Sequence, residues 1–176
     1  GFFWIRYEDF EYFTKEAYGL YPMGSAQDKQ VNPGKMAVEF GLFDNDKQAV
    51  IPVKQVGDIV FRTNSALSKG QKFKALIANS VDCYVYIFGQ ETDGSSYVLF
   101  PYTEKHDPYC GIVGTRLFPK HHSMTPDAKG QRDYMAIVIS KTELKYQQLN
   151  QAINNASGAT YADKLKVALG NNRMRT

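Results

Sequence analysis

Residues Cys83-Tyr84-Val85-Tyr86-Ile87-Phe88-Gly89-Gln90 decide how this chain is read. Side chains alternate along a strand, so Tyr84, Tyr86 and Phe88 share one face while Val85 and Ile87 share the other. Both faces are apolar. A strand of that kind belongs in the middle of a stack, with one layer above it and another below. Glu91-Thr92-Asp93-Gly94-Ser95 follows, and its Asp-Gly pair supplies the positive-φ positions of a tight hairpin. Ser96–Phe100 returns as the partner strand and Pro101 stops it.

The same period continues upstream. Over 71–79, Phe73, Ala75 and Ile77 alternate with Lys72 and Lys74, which marks a half-buried strand. A short strand over 59–63 precedes the turn-rich stretch 64–70. Residues 36–43 and 49–53 read as two strands of a hairpin joined by Asp44-Asn45-Asp46. Gly24, Ser25, Asn32, Pro33 and Gly34 make 24–35 a loop. At the start, Phe2, Phe3, Trp4, Ile5 and Tyr7 form an aromatic run. Phe10, Phe13 and Ala17 then recur at helical spacing, so a helix is expected over 8–18, ended by Gly19 and Pro22. This segment is expected to pack on the body of the domain; the competing reading is an exposed aromatic patch.

Downstream, 102–111 reads as a polar loop with His106, Asp107, Pro108, Cys110 and Gly111. Ile112 and Val113 are expected to open another strand, and 116–118 is a strand stopped by Pro119. A second long loop, 120–132, holds Pro126, Asp127 and Gly130. The last strand, 134–140, is again apolar on both faces. Leu99-Phe100-Pro101 and Leu117-Phe118-Pro119 are the same triplet, read as two strands with like endings.

After Ser140 the period changes from two to 3.6. Ser140 and Glu143 have capping-box spacing, and Leu144, Leu149, Ala152, Ile153 and Ala156 form a stripe over 143–156. Ser157-Gly158 breaks it. Thr160 and Asp163 repeat the cap, and Tyr161, Leu165, Ala168 and Leu169 form a second stripe closed by Gly170 and Asn171. A helical hairpin that docks on the sheet, or on another protein, is the expectation.

With 176 residues the chain suits a single domain able to bury a core without staples. Within it, 1–58 reads as an N-terminal extension and first strands, 59–141 as the β core and 142–172 as the helices. Aromatics reach 14%, mostly Tyr and Phe, which favour pleated surfaces. A net charge of +3 is too small for a nucleic-acid partner. The basic stretch Lys164, Lys166, Arg173 and Arg175 reads as a solvated helix face. No run approaches the ~18 apolar residues of a membrane span. The opening Gly1-Phe2-Phe3-Trp4, with no initiator Met, reads as a mature or excised piece, removal of a targeting segment being one of the routes to it.

No catalytic, cofactor-binding or metal-ligating residue is assigned. His106, His121 and His122 are read as surface loop residues, because adjacent strand positions point to opposite faces. Cys83 and Cys110 carry no C-x-x-C spacing. They are either one disulfide or two unrelated thiols, since separation in sequence does not give the Cα distance. A Cys110 pair with His106 or His121 would need the fold to bring them together, since spatial neighbours need not be sequence neighbours, and it is not assigned. Ser95-Ser96 and Asp93 are explained by turn chemistry, and Glu91 and Glu104 by solubility.

Gly70-Gln71-Lys72-Phe73, then Cys83 to Phe88, then Asp93-Gly94-Ser95-Ser96-Tyr97-Val98-Leu99-Phe100-Pro101 follow one another in a distinctive order. Arg116-Leu117-Phe118-Pro119 and Ala136-Ile137-Val138-Ile139-Ser140 complete it. In this order the stretch 59–144 resembles a bacterial family known as domain of unknown function 4384. The resemblance implies a compact β-domain, of a kind appended to larger envelope or signalling proteins, and no catalytic residues.

The fold expected is mainly β: an antiparallel β-sandwich of roughly seven strands, with an immunoglobulin-like form among its candidates, and a C-terminal helical hairpin. The function expected is a non-catalytic binding or scaffolding module of a bacterial envelope-associated protein, with a protein partner or adjoining domain and no cofactor. The location expected is periplasmic, cell-surface or secreted. The alternatives are a glycan-binding module that stacks sugars on Tyr97, Tyr102 and Tyr109, and a hydrolase with an unrecognised site.

Overall fold

The computed structural model describes residues 2–6, 20–22, 38–56, 60–79, 82–101, 103–111, 114–118, 123–125, 134–140 and 142–173. Among them are the strands β1 (Phe2–Arg6), β2 (Leu20–Pro22), β3 (Val38–Asp44), β4 (Ala49–Ile51), β5 (Val53–Gln55) and β6 (Val60–Thr63). There follow β7 (Phe73–Asn79), β8 (Cys83–Gln90), β9 (Ser96–Phe100), β10 (Tyr109–Cys110), β11 (Gly114–Phe118) and β12 (Tyr134–Ser140). Two helices, α1 (Tyr146–Asn155) and α2 (Tyr161–Arg173), close the chain. The helix expected over 8–18 and the start of a strand at Ile112 and Val113 lie outside the described residues.

The first sheet runs β10-β8-β12-β1-β6-β5, with β9 beside β10 along the same edge of β8. The second runs β11-β7-β3-β2, with β4 also on β3. Most pairs are antiparallel, as the alternation implied. Two are parallel: β1 against β12, Phe2 opposite Met135, and β2 against β3, Leu20 opposite Val38. The expected seven strands become twelve among the described residues, and the two parallel pairs depart from the immunoglobulin-like form. The β1–β12 pair joins the first and last of the described strands, whereas β2 and β3 are near neighbours in sequence. Strand β1 stands between β12 and β6, inside the first sheet.

The expected strand over 49–53 is two strands in different sheets. Proline has no N–H to give a ladder. At Pro52 the chain leaves the second sheet, where β4 pairs with β3, and enters the first, where β5 pairs with β6. The loop expected over 102–111 contains β10, and the loop over 120–132 touches β7 through paired backbone bonds between Met124 and Phe73 (2.8 and 2.9 Å). Neither short pairing has the length that makes a period visible in sequence.

The two faces of β8 lie in two separate cores. Cys83, Val85 and Ile87 join Ile137 and Ile139 of β12 in facing Phe40 and Leu42 of β3 and Ala75 and Ile77 of β7. This is the inter-sheet core of the sandwich. Tyr86 and Phe88, with Ala136 and Val138, face Leu149 and Ile153 of α1 and Tyr161, Leu165, Ala168 and Leu169 of α2. The molecule is therefore three layers: helices, sheet, sheet. Burying each large apolar side chain contributes about 1.5–3 kcal/mol. Edge-to-face aromatic pairs tie the sheets: Phe40 with Phe61 at 4.7 Å, and Phe100 with Phe118 at 4.9 Å. The second pair is the centre of the repeated Leu-Phe-Pro triplet, so the two like endings meet across the sandwich.

The helical signals divide. Thr160 caps α2, its Oγ1 accepting from the Asp163 N–H at 3.1 Å. Ser140 and Glu143 form no capping box. Helix α1 begins at Tyr146 after Lys145, which makes no side-chain cap bond, and Ser140 Oγ instead accepts from the Thr142 N–H at 3.1 Å. Ser140 belongs to β12, so its backbone already serves the sheet. Helix α2 does not stop at Gly170 and Asn171 but runs on to Arg173. No helix among the described residues is long and apolar enough to cross a membrane.

Candidate functional site

The densest group of chemically capable side chains stands where β8 begins. The edge strand β10 pairs with it antiparallel, placing Tyr109 opposite Tyr84 and Cys110 opposite Cys83. The register turns Cys83 and Cys110 into the inter-sheet core, where both are buried free thiols. Tyr84 and Tyr109 turn the other way, with ring centroids 5.2 Å apart. The Tyr109 hydroxyl donates to Asp82 Oδ2 at 3.0 Å. Ionising that hydroxyl beside a carboxylate is unfavourable, so this bond and the Asp82 charge push Tyr109 above the usual tyrosine range.

The second sheet reaches this group through Asn79, the last residue of β7. Its Nδ2 donates to the Cys110 carbonyl at 3.4 Å, and its Oδ1 accepts from Arg116 Nη1 at 2.9 Å. Asn79 is buried and links β10 of one sheet to β11 of the other. The Val85 N–H donates to the Pro108 carbonyl at 2.9 Å, extending the pairing beyond β10. The two thiols share a hydrogen bond. Their protons are held unequally: Cys83, which keeps its proton for Cys110, is pushed well up, and burial adds to this. Cys110, which accepts from Cys83 and lies near the Arg116 guanidinium, is pulled down despite burial.

The other residues weighed from sequence are dispersed. His106 is exposed, with Nδ1 against Thr103 Oγ1 at 3.0 Å, while Cys110 faces Cys83 in the core. His121, His122 and Tyr102 lie outside the described residues. Asp93 caps its turn by accepting from the Ser95 N–H (2.9 Å) and hydroxyl (2.5 Å). Those bonds, the hydroxyl first, hold its carboxyl below the usual range. Gly94 takes φ +90°, as the Asp-Gly turn required. Glu91 and Glu104 are exposed. No group of three or more His, Cys, Asp or Glu among the described residues could hold a metal ion.

Tyr97 and Tyr109, both exposed, lie on opposite faces of the first sheet. Val98 packs toward the helices, so Tyr97 points away from them; Cys110 enters the inter-sheet core, so Tyr109 points to the helix side. They do not form one stacking platform. The Tyr97 ring also lies over Gly89, where an added Cβ would meet it at 2.7 Å.

A polar clamp absent from the sequence reading joins the helices to β9. Asn154 of α1 accepts from the Ser96 N–H (2.7 Å) and donates to the Ser96 carbonyl (3.0 Å). The Ser96 hydroxyl meets the Tyr161 hydroxyl at 2.8 Å, which also donates to the Gly89 carbonyl at 3.3 Å. Ser96 read as turn chemistry because its partners are 58 and 65 residues away.

Residues 66–143 match the family model for a domain of unknown function, DUF4384. This stretch of the chain is similar to the DUF4384 family. The matched segment runs from just ahead of β7 to the residues that enter α1, and agrees with the resemblance seen over 59–144. The matched residues thus include β7 to β12, with the Cys83–Cys110 pair and the Asn79 and Arg116 link. Strands β1 to β6 and both helices lie outside it. No curated protein and no solved structure matches the chain.

Proposed function

We propose that the chain is a non-catalytic binding or scaffolding module of a bacterial envelope-associated protein. It meets a protein partner or an adjoining domain through the edges of its sandwich. The observation that carries this reading is the crossover at Pro52. Val50, on β4, and Val56, just past β5, are 41% and 45% exposed. They flank the point where the chain passes from one sheet to the other. Among the described residues, β4 pairs with β3 alone and β5 with β6 alone. Edge strands of this kind offer backbone donors and acceptors to an added strand, and exposed apolar side chains favour a protein surface over water. Lys54 between them is exposed and opposes indiscriminate pairing.

The chemistry of the rest is consistent with a module that binds. The buried polar side chains Asp44, Asn79, Ser96 and Ser140 each hold a turn, a link, a clamp or a chain exit. The envelope assignment draws on the DUF4384 resemblance. The test places a photo-crosslinking amino acid at Val50 of the chain in its native host, and repeats it with Val56→Glu. A discrete protein adduct that Val56→Glu abolishes supports the reading. No adduct, or one indifferent to Val56→Glu, removes it.

A further inference from the structure

We propose that Cys83 and Cys110 are a redox pair that a low-molecular-weight disulfide closes into a cross-strand bond, fastening β10 to β8. Four observations carry it. The two residues are direct partners in an antiparallel register. Cα atoms so placed are about 4.5–5.5 Å apart, inside the range a disulfide spans. Both thiols are free, buried on the same side of the first sheet, and hydrogen-bonded to each other. The Arg116 guanidinium, oriented by Asn79, stands beside them.

The polarity of the pair sets the order of events. Of the two sulfurs, Cys110 ionises more readily, with the Cys83 S–H donating to it and Arg116 beside it. The Cys110 proton goes to solvent, and its sulfur attacks one sulfur of the disulfide R–S–S–R. The R–S–S–R bond breaks, a Cys110–S–S–R bond forms, and R–S⁻ leaves and takes up a proton. With Cys110 now capped, Cys83 has no thiolate to hold its proton for. Cys83 loses that proton, attacks the Cys110 sulfur, and expels the second R–S⁻, which is protonated in turn. Two electrons pass from the two cysteines to the disulfide, which becomes two R–SH. Entry needs only local opening of β10, a two-residue edge strand bounded by the exposed Gly111.

Closing the bond holds Pro108 to Cys110 against β8, and with them the segment 103–111. The pair needs no reading of what the domain binds, so it stands or falls separately from the edge-strand proposal. The experiment equilibrates the folded, full chain over a series of reduced-to-oxidised glutathione ratios, quenches with an alkylating reagent, and maps peptides by mass spectrometry. The expected result is loss of both alkylation sites together, with a peptide pair joined through Cys83 and Cys110 and slower amide exchange at Val85. Cys83→Ser is expected to trap Cys110 as a stable mixed disulfide with glutathione; Cys110→Ser is expected to leave Cys83 unmodified. The proposal is overturned if the joined peptide forms only in denaturant, if both thiols stay alkylatable at every ratio, or if Cys83 rather than Cys110 is the residue trapped.

Discussion

On one face of the first sheet, Val85, Ile87, Ile137 and Ile139 meet the second sheet with carbon against carbon. On the other, Tyr86, Ser96, Tyr161 and Asn154 add hydrogen bonds to the same kind of packing. Apolar contact is non-directional and rewards closeness alone. A hydrogen bond also demands a direction. Within each sheet the ladders fix where each side chain stands, and the two sheets are joined at one end by the Asn79 link, and also by the chain crossing at Pro52. The helices have no ladder to the sheet, so their position is specified by the clamp at Ser96 and by the bond from the Leu144 N–H to the Tyr86 hydroxyl at 2.8 Å. The difference teaches that directed bonds hold the helical segment at Leu144, Asn154 and Tyr161, whereas between the sheets a polar link stands at one end and apolar packing fills the rest.

The largest expected effect tests the dry face. Ile137→Ala, at a fully buried position, is expected to cost about 2–5 kcal/mol in denaturant unfolding, with all probes reporting one transition. A loss under ~1 kcal/mol would mean the sheets do not press on this residue. Next comes alkali at the polar face. Burial pushes Tyr86 up to about 12. Its folded form is neutral, so its contribution is complete below the ordinary tyrosine value of about 10 and fades as pH rises from there toward about 12. Unfolding free energy measured across that window is expected to fall by on the order of 2 kcal/mol, and by less in Tyr86→Phe. Burial pushes Tyr161 up as well and adds to the same loss.

Asn154→Ala removes two bonds to one residue. It is expected to cost about 1–3 kcal/mol and to speed amide exchange at Ser96 while leaving Val85 and Ile137 protected. Equal loss of protection on both faces would erase the distinction between them. The smallest effects separate the two capping signals. Thr160→Ala should cost about 1 kcal/mol through the lost cap on α2, whereas Glu143→Ala should change stability by less than ~0.5 kcal/mol, because no capping box forms there. Thermal or denaturant unfolding of the two variants side by side reads the contrast.

Much of the candidate site was hidden for a reason that applies residue by residue. Cys83 and Cys110 are both visible in the chain, but their pairing needs β10, two residues long and without a period of its own. Asn79 ends a strand and looks like punctuation until Cys110 and Arg116 are brought to it. Asn154 looks like a solvated helix position, and its role exists only once β9 lies beneath α1. The S-x-x-E spacing at Ser140 misled because β12 extends through that serine and claims its backbone.

Local pattern alone determined the strands β7, β8, β9 and β12, the Asp-Gly turn, the two-sided burial of β8 and the cap at Thr160. Each of these depends on neighbours within a few positions, where alternation and φ preference act directly. Only the tertiary structure decided the crossover at Pro52, the placing of β1 between β12 and β6, and the meeting of Cys83 with Cys110. The last two join residues distant along the chain, and at Pro52 near neighbours are divided between two sheets; what selects all three is the burial of whole faces against one another, which no single stretch of sequence contains.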